Sequence, residues 1–230
     1  MPTNFLNWLM DTDEGLVARI AAGVLVFAAL AVVDLIRKGR QSRRWREYTF
    51  LLVAVGVAIL YGIVNDQVTV TISWEYFFYG KEVSVLTNGV VPDGATLRWE
   101  AAKIGAKATW TAGLLLGVAV LFANNPSKTL PVLSDRKLYK MLPVVILSAA
   151  GLAAISGFVA WGLMRFDFFA NWFSETGFLQ AARRAKFVSV WGIHLGGYLG
   201  GLAGTAWAVL SVRRQRKRLA ASGGAAGFAC

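Results

Sequence analysis

The chain has 230 residues, of which 56% are hydrophobic and only 16% are charged, and its mean hydropathy is +0.52. An average soluble domain has about 25% charged residues, so this composition excludes a disordered chain and argues against a soluble acidic enzyme. The chain carries 24 Lys and Arg against 13 Asp and Glu, a net charge of +11. A nucleic-acid-binding protein and an integral membrane protein remain, and the positions of the charges must distinguish them.

The amino-terminal segment, residues 1–15, does not have the pattern of a secretory signal. Three acidic residues and no Lys or Arg precede the first apolar run. A signal peptide begins with a basic segment, so we expect this run to remain in the mature protein. The only cysteine is Cys230, which excludes an intrachain disulfide and a cysteine-rich metal site. We predict neither a metal nor a cofactor.

Five apolar segments are long enough to cross a bilayer, which requires about 17 to 25 residues. None of them carries the charged stripe of a soluble amphipathic helix. The sequence therefore predicts an all-α integral membrane protein whose membrane domain covers residues 16–212. The five predicted transmembrane helices span residues 16–36, 48–64, 108–124, 142–164 and 187–212.

The basic residues are concentrated after the first, third and fifth spans. These three segments, with the acidic residues beside them, carry a net charge of +12, whereas the rest of the chain carries −1. Lys and Arg accumulate in the cytoplasmic loops of membrane proteins. We therefore expect an N-out, C-in orientation in which the basic segments face the cytoplasm.

The carboxy-terminal tail, residues 213–230, is predicted to be flexible because its last part is rich in Ala, Gly and Ser. Near a membrane, anionic lipids attract each basic side chain by about 1 kcal/mol. No aromatic residue for base stacking lies among these charges, so no nucleic-acid partner is expected. The residues predicted to contact anionic lipids are Arg213, Arg214, Arg216, Lys217 and Arg218.

The outer loop, residues 65–107, is predicted to contain a short β-hairpin. Apolar and hydroxyl residues alternate over residues 67–73, as in a half-buried strand, and residues 82–86 supply a partner. Between them, residues 74–79 include five aromatics, which we expect to anchor the loop at the lipid headgroups. From Thr96 the pattern is that of a helix running into the third span.

A second outer region, residues 165–186, contains six aromatic residues among acidic and polar ones. This composition favours an interfacial helix whose aromatic face lies on the outer leaflet. Binding of a hydrophobic partner or a lipid is the functional alternative for this region.

Part of the outer loop resembles a pattern found in uncharacterised multi-pass inner-membrane proteins of bacteria, in which a His-Asp-Gln step leads to an Ile-Ser-Pro-Glu-Tyr-Phe run. The present chain has Asn65 in place of the His and Trp74 in place of the Pro. The resemblance implies a bacterial inner-membrane protein and brings no known activity. The matching residues are Asp66, Gln67, Ile72, Ser73, Glu75, Tyr76 and Phe77.

Glycines recur at every fourth position of the fifth span, which places them on one helix face: Gly192, Gly196, Gly200 and Gly204. Small residues at this spacing allow the backbone of another helix to approach closely. We expect this face to pack within the chain, in a homo-oligomer, or against another membrane protein.

His194 is the only histidine, which excludes a bis-His haem within the chain. Ionisable residues inside a membrane are functional candidates. Asp66 and Glu75 would approach His194 if the outer loop folds inward. The alternative is a structural histidine bonded to Tyr198, Ser189 or a backbone carbonyl. The outer-face candidates are Asp66, Glu75, Tyr76 and His194.

The run that begins at His194 is similar to the His-x-x-Gly-x-x-x-Gly spacing of rhomboid intramembrane serine proteases. In that family such a histidine activates the serine of a Gly-x-Ser-Gly run. The corresponding residue here is Ser156, but the first glycine of its run is absent, the spans number five instead of six, and the serine helix would run in the opposite sense. The resemblance implies a remote alternative, a hydrolase with Ser156 and His194 as its catalytic pair.

The role expected from the sequence is therefore structural, an accessory or assembly subunit with an aromatic outer face, and not an enzyme. The alternative from another class is a small transporter or channel that uses Asp66, Glu75 and His194.

Overall fold

The computed structural model describes residues 12–39, 42–127, 129–166, 169 and 179–226. All regular structure in these ranges is helical. Half of the region predicted to form an interfacial helix, residues 165–186, lies outside them. In chain order the elements are α1 (Asp13–Lys38), α2 (Arg44–Ile72), a π turn (Tyr76–Gly80), α3 (Val83–Leu86), α4 (Gly94–Ala123), α5 (Asp135–Tyr139), α6 (Leu142–Leu163) and α7 (Ala181–Ala226).

Five stretches of helix in the described part of the chain are long and apolar enough to cross a membrane. They are α1, α2, α4, α5 together with α6, and α7. The prediction of an all-α chain with five candidate spans is thus confirmed.

Several helices run well beyond the predicted spans. α2 continues to Ile72 and α4 begins at Gly94, so most of the predicted outer loop is helical and only residues 73–93 connect the two. α7 has 46 residues, a length of about 69 Å, which exceeds the roughly 30 Å of bilayer hydrocarbon. It continues to Ala226 through the stretch that composition predicted to be flexible.

The predicted β-hairpin is wrong. Residues 67–72 form the last turns of α2, and the second proposed strand is the helical turn α3. The hydroxyls of Thr69 and Thr71 donate to carbonyls four residues earlier, so these β-branched residues are satisfied within a helix. The buried positions near this end recur at helical spacing, and they are Asp66, Thr69, Val70 and Ser73.

Contacts between residues group the chain into two compact units, residues 1–53 and residues 54–230. In the first unit, Asp34 near the end of α1 accepts hydrogen bonds from the Ser42 hydroxyl and from the backbone amides of Arg43 and Arg44. Its other oxygen lies 3.0 Å from Lys38 Nζ. Asp34 therefore caps the first turn of α2 and fixes the reversal between the two helices.

In the second unit, the glycine face of α7 packs directly on α6. A Cβ atom added to any of these glycines would lie within 3 Å of α6 atoms. The contacts run in opposite directions along the two helices, so α6 and α7 are antiparallel. The closest carbonyl oxygens belong to Ser156 opposite Gly192, Leu152 opposite Gly196, and Ser148 opposite Gly200.

A second close pair is formed by α2 and α4. Gly62 and Gly105 face each other so closely that a Cβ on either would collide with the backbone of the other. Further along, a Cβ on Gly113 would lie 2.8 Å from the carbonyl oxygen of Ala54. Asp93 caps the start of α4, and hydrogen bonds from the amides of Thr96 and Ala95 and from the Thr96 hydroxyl lower the pKa of its carboxyl.

The aromatic run between α2 and α3 is core, which corrects the prediction that it anchors the loop at the headgroups. Tyr76, Phe77 and Phe78 are buried, and Phe77 is 0% exposed. Tyr76 and Phe77 pack with apolar residues of α2, α4 and α7 in one cluster. Tyr79 is the one aromatic residue of the π turn that is exposed. A single exposed ring does not form the aromatic surface that anchoring at the headgroups would require.

The prediction that Arg216 contacts lipid, which was made from the basic tail, is also wrong. It is 4% exposed, and its guanidinium donates to backbone carbonyls in and beyond the last turn of α4. A buried charge requires such partners, so this arginine holds the α4–α5 connection to α7. The acceptors are the carbonyls of Ala123, Asn125, Leu130 and Pro131.

The two adjoining glycines Gly200 and Gly201 provide a test of the α6–α7 contact. Gly200→Ala should lower the free energy of unfolding by roughly 1–3 kcal/mol because the methyl meets α6 backbone. Gly201→Ala should be neutral or stabilising, since its Cβ meets nothing within 4 Å and alanine favours helix. Thermal unfolding in detergent measures both, and equal melting temperatures for the two variants would contradict the packing.

Candidate functional site

The second unit contains a cavity of about 570 Å³ between the α2–α4 pair and the α6–α7 pair. Most of its wall is apolar and is formed by Ala, Gly, Leu, Ile and Val residues. Polar side chains reach the cavity mainly at one end, where the carboxy-terminal part of α2 meets the middle of α7. The residues at this polar end are Tyr61, Asn65, Asp66, His194 and Tyr198.

Helical spacing brings these residues to the cavity. Tyr61 and Asn65 are four residues apart on α2, and Asp66 follows on the same side. On α7 the cavity face carries His194, Tyr198 and Gly201, while the glycines that contact α6 occupy another face. The same helix therefore packs on α6 with one face and presents a histidine to the cavity with the other.

Asp66 and His194 form the centre of the polar end. Asp66 is 2% exposed, and its Oδ1 lies 3.8 Å from His194 Nε2. This separation is too long for a hydrogen bond, which joins heavy atoms at about 2.7–3.2 Å. Oδ1 instead accepts a hydrogen bond from the side-chain amide of Asn65 at 3.1 Å. The carboxylate and the imidazole thus face one another without a hydrogen bond between them.

Two buried polar atoms at this end have no hydrogen-bond partner among the described residues. They are Nε2 of His194 and the hydroxyl oxygen of Tyr61. Leaving such a group unsatisfied costs about 1–3 kcal/mol, so buried polar atoms are normally paired. Both residues line the cavity. Because the two atoms are closed off from the cavity space, a polar group in the cavity would satisfy both once their side chains turn toward it.

The π turn covers His194. The Tyr76 ring stacks on the imidazole with centroids 5.0 Å apart and an interplanar angle of 12°, and Phe77 meets it edge-on at 6.2 Å. Burial raises the pKa of Tyr76, helped by the charges of Tyr198 and Asp66, so its phenol stays neutral. Lys81 lies above the outer face of this turn, with its Nζ 5.6 Å from the Tyr76 ring centroid.

Glu75 lies apart from the cavity. Its Oε2 accepts a hydrogen bond from the Ser73 hydroxyl at 2.9 Å, and its Oε1 lies 3.4 Å from Arg183 near the start of α7. It therefore joins the π turn to α7. Among the residues that the sequence proposed for the outer face, the structure brings together Asp66, Tyr76 and His194, and it places Glu75 in the connection that holds the turn.

Ser156 does not meet His194. Its side chain packs against Gly196, on the face of α7 that contacts α6. His194 is two residues from Gly196, which is about 200° around a helix. A nucleophile must lie within about 3 Å of its base, and His194 Nε2 has no hydrogen-bond partner in the described part of the chain. The arrangement is not that of a Ser-His pair.

The sequence analysis did not identify Tyr61, Asn65 and Lys81. The signal was available for the first two, because Tyr61 and Asn65 share one face of a helix that continues past Asp66. It was missed because α2 was predicted to end at residue 64, which separated Tyr61 from Asn65 and Asp66. The position of Lys81 follows from the tertiary fold of the π turn and leaves no local signal.

The described residues contain no group of three His, Cys, Asp or Glu side chains that could hold a metal ion. Asp66 and His194 supply only two potential ligands. Comparison with family models, with curated proteins and with solved structures gave no match for this chain. We therefore argue its function from its own residues.

The cover over His194 can be tested with diethyl pyrocarbonate, because the chain has one histidine. His194 is 10% exposed, so modification should be slow in the native protein. Tyr76→Ala removes the stacked ring, and modification should become faster by on the order of tenfold. Tyr79→Ala in the same turn is the matched control, because this side chain is 44% exposed. Equal rates in all three proteins would contradict the arrangement.

Proposed function

We propose that this chain is a multi-pass protein of the bacterial inner membrane that binds a small amphiphilic molecule in the cavity between its helix pairs. One observation carries the proposal. An apolar cavity of about 570 Å³ ends at two buried polar atoms without partners, Nε2 of His194 and the hydroxyl of Tyr61, beside the carboxyl of Asp66.

The size and lining of the cavity define the ligand class. Binding pockets for small molecules commonly measure about 300–1,000 Å³ and combine apolar walls with a few placed polar groups. The apolar wall would take a hydrocarbon or aromatic body. The polar end would take a head group able to exchange hydrogen bonds with an imidazole and a phenol. A fully apolar ligand would leave these groups unsatisfied, which costs binding energy.

The orientation of the chain in the membrane is part of the proposal. Five crossings place the segments after the first, third and fifth helices on one side, and these segments carry most of the Lys and Arg residues. The positive-inside rule makes this side cytoplasmic, so the amino terminus and the π turn would face outward. The polar end of the cavity would then be nearer the outer leaflet.

The roles expected from the sequence relate to this site in different ways. A transporter or channel would use the same Asp66 and His194, and binding is the step that a carrier shares with a protein that only holds its ligand. An accessory subunit would need a free packing surface, but α6 of the same chain already covers the glycine face of α7. We therefore limit the proposal to binding.

Cys230 provides a direct test of orientation because it is the only cysteine. In intact spheroplasts, a membrane-impermeant maleimide should label Cys230 only after permeabilisation. A Cys230→Ser protein that also carries Val91→Cys, at an exposed position between α3 and α4, should be labelled without permeabilisation. The reverse pattern would overturn the N-out, C-in orientation.

The cavity itself can be tested with a photoreactive diazirine analogue of an uncharged long-chain alcohol, in protein reconstituted into nanodiscs. Irradiation should label cavity-lining peptides of α2 and α7, identified by mass spectrometry. Gly201→Leu should reduce this labelling several-fold, because a side chain at this lining position enters open space.

Gly151→Leu is the matched control for the labelling experiment. A Cβ at Gly151 also meets nothing within 4 Å, and the residue is exposed on α6 away from the cavity lining. Its labelling should match that of the native protein. Labelling confined to lipid-facing residues, or unchanged by Gly201→Leu, would overturn the proposed binding site.

A further inference from the structure

The charge of the polar end distinguishes among amphiphilic ligands. Among the described residues that line the cavity, Asp66 is the only Asp or Glu, and none is Lys or Arg. In the described part of the chain, the only basic group within 4 Å of this carboxylate is the His194 imidazole. A carboxylate inside an apolar cavity is costly unless a positive charge accompanies it.

His194 is not placed as that positive charge. An imidazolium paired with a carboxylate makes a short, charge-assisted hydrogen bond of about 2.7–2.9 Å. The distance here is 3.8 Å, and Nε2 makes no hydrogen bond to any described residue. Lys81 lies over the Tyr76 ring that stacks on His194, but Lys81 does not line the cavity. In the described part of the chain, the carboxylate therefore has no cation in hydrogen-bonding contact, and it lines the cavity.

Aromatic rings near the Asp66 carboxylate add to an environment that suits an organic cation. Tyr61 and Tyr198 line the polar end together with Asp66. Phenol rings attract organic cations through their quadrupole, and the attraction is larger where water is excluded. A carboxylate between two tyrosines at the end of an apolar cavity favours a protonated or quaternary amine over an anion or an inorganic cation.

We propose that the ligand of this cavity is a lipophilic cation, whose positive centre lies beside Asp66 between Tyr61 and Tyr198 and whose apolar body fills the space between the helix pairs. This inference rests on the proposed binding function and adds the charge of the ligand. It also assigns roles: Asp66 supplies the countercharge, and His194 Nε2 and the Tyr61 hydroxyl contact polar atoms of the head group.

The test uses two ions of nearly the same shape and opposite charge, tetraphenylphosphonium and tetraphenylborate. Each competes with the uncharged diazirine alcohol for the cavity in nanodiscs, at equal membrane-bound concentration. Tetraphenylphosphonium should reduce cavity labelling and tetraphenylborate should not. Asp66→Asn should weaken the phosphonium competition by on the order of tenfold, measured relative to the variant's own labelling by the uncharged probe.

Lys81→Gln provides a second variant outside the cavity, which keeps the test independent of any folding defect in Asp66→Asn. At alkaline pH, where the carboxyl stays ionised without Lys81, removing this nearby positive charge should strengthen phosphonium competition, whereas a site for anions would lose affinity. Lys140→Gln, an exposed change beyond α5, is the charge-matched control and should leave competition unchanged.

The outcomes separate the two proposals. Cavity labelling by the uncharged probe with no phosphonium competition, or with stronger borate competition, overturns the cation and leaves the binding site standing. Absence of cavity labelling by any probe overturns the binding site itself. Phosphonium competition that Asp66→Asn leaves intact, in a folded protein, overturns the assignment of Asp66 as the countercharge.

Discussion

Close backbone contact at glycines is the constraint on which the rest of this structure depends. α7 lies against α6 along four glycines, and α2 lies against α4 at Gly62 and Gly105. Inside a membrane, helices gain little from the hydrophobic effect on meeting each other, so tight van der Waals packing must supply the association. Gly62, Gly105 and Gly113 of the α2–α4 contact also line the cavity, whose wall is rich in Gly and Ala. Where one pair faces the other, these small residues leave space unfilled, and the cavity lies there.

Two buried polar clusters show how differently this fold uses charge. Arg216 donates from all three of its guanidinium nitrogens to four backbone carbonyls, which is the behaviour of a structural residue. At the other end of α4, Asp66 is also buried, but the buried Nε2 of His194 and hydroxyl of Tyr61 have no partners among the described residues. The backbone itself therefore holds Arg216, whereas it does not satisfy the His194 imidazole nitrogen or the Tyr61 hydroxyl. The contrast is the physical reason for placing a ligand at one cluster and not at the other.

The π turn links the site to the surface. Its aromatic residues form part of the core, and the Tyr76 ring covers His194 while Glu75 connects the turn to Arg183 of α7. Access to the polar end therefore passes either this turn or the gaps between the helix pairs. Lys81, on the outside of the turn, lies near enough to Asp66 for its charge to influence the cavity. The turn is short, yet it determines both the burial and the electrostatics of the site.

Composition and periodicity alone determined that this chain is helical, that five segments can cross a membrane, and that the glycines of the fifth span share a face, because these properties depend only on local sequence and helix geometry. The residues Asp66 and His194 could be singled out as ionisable groups within or beside apolar segments. Other features were decided by tertiary structure. The alternation over residues 67–73 fits both a strand and a helix, and contacts with α4 and α7 selected the helix. Arg216 became a structural residue only because the α4–α5 connection folds against α7. The cavity exists because two pairs of helices close against themselves more tightly than against each other, a property of packing that no single segment encodes.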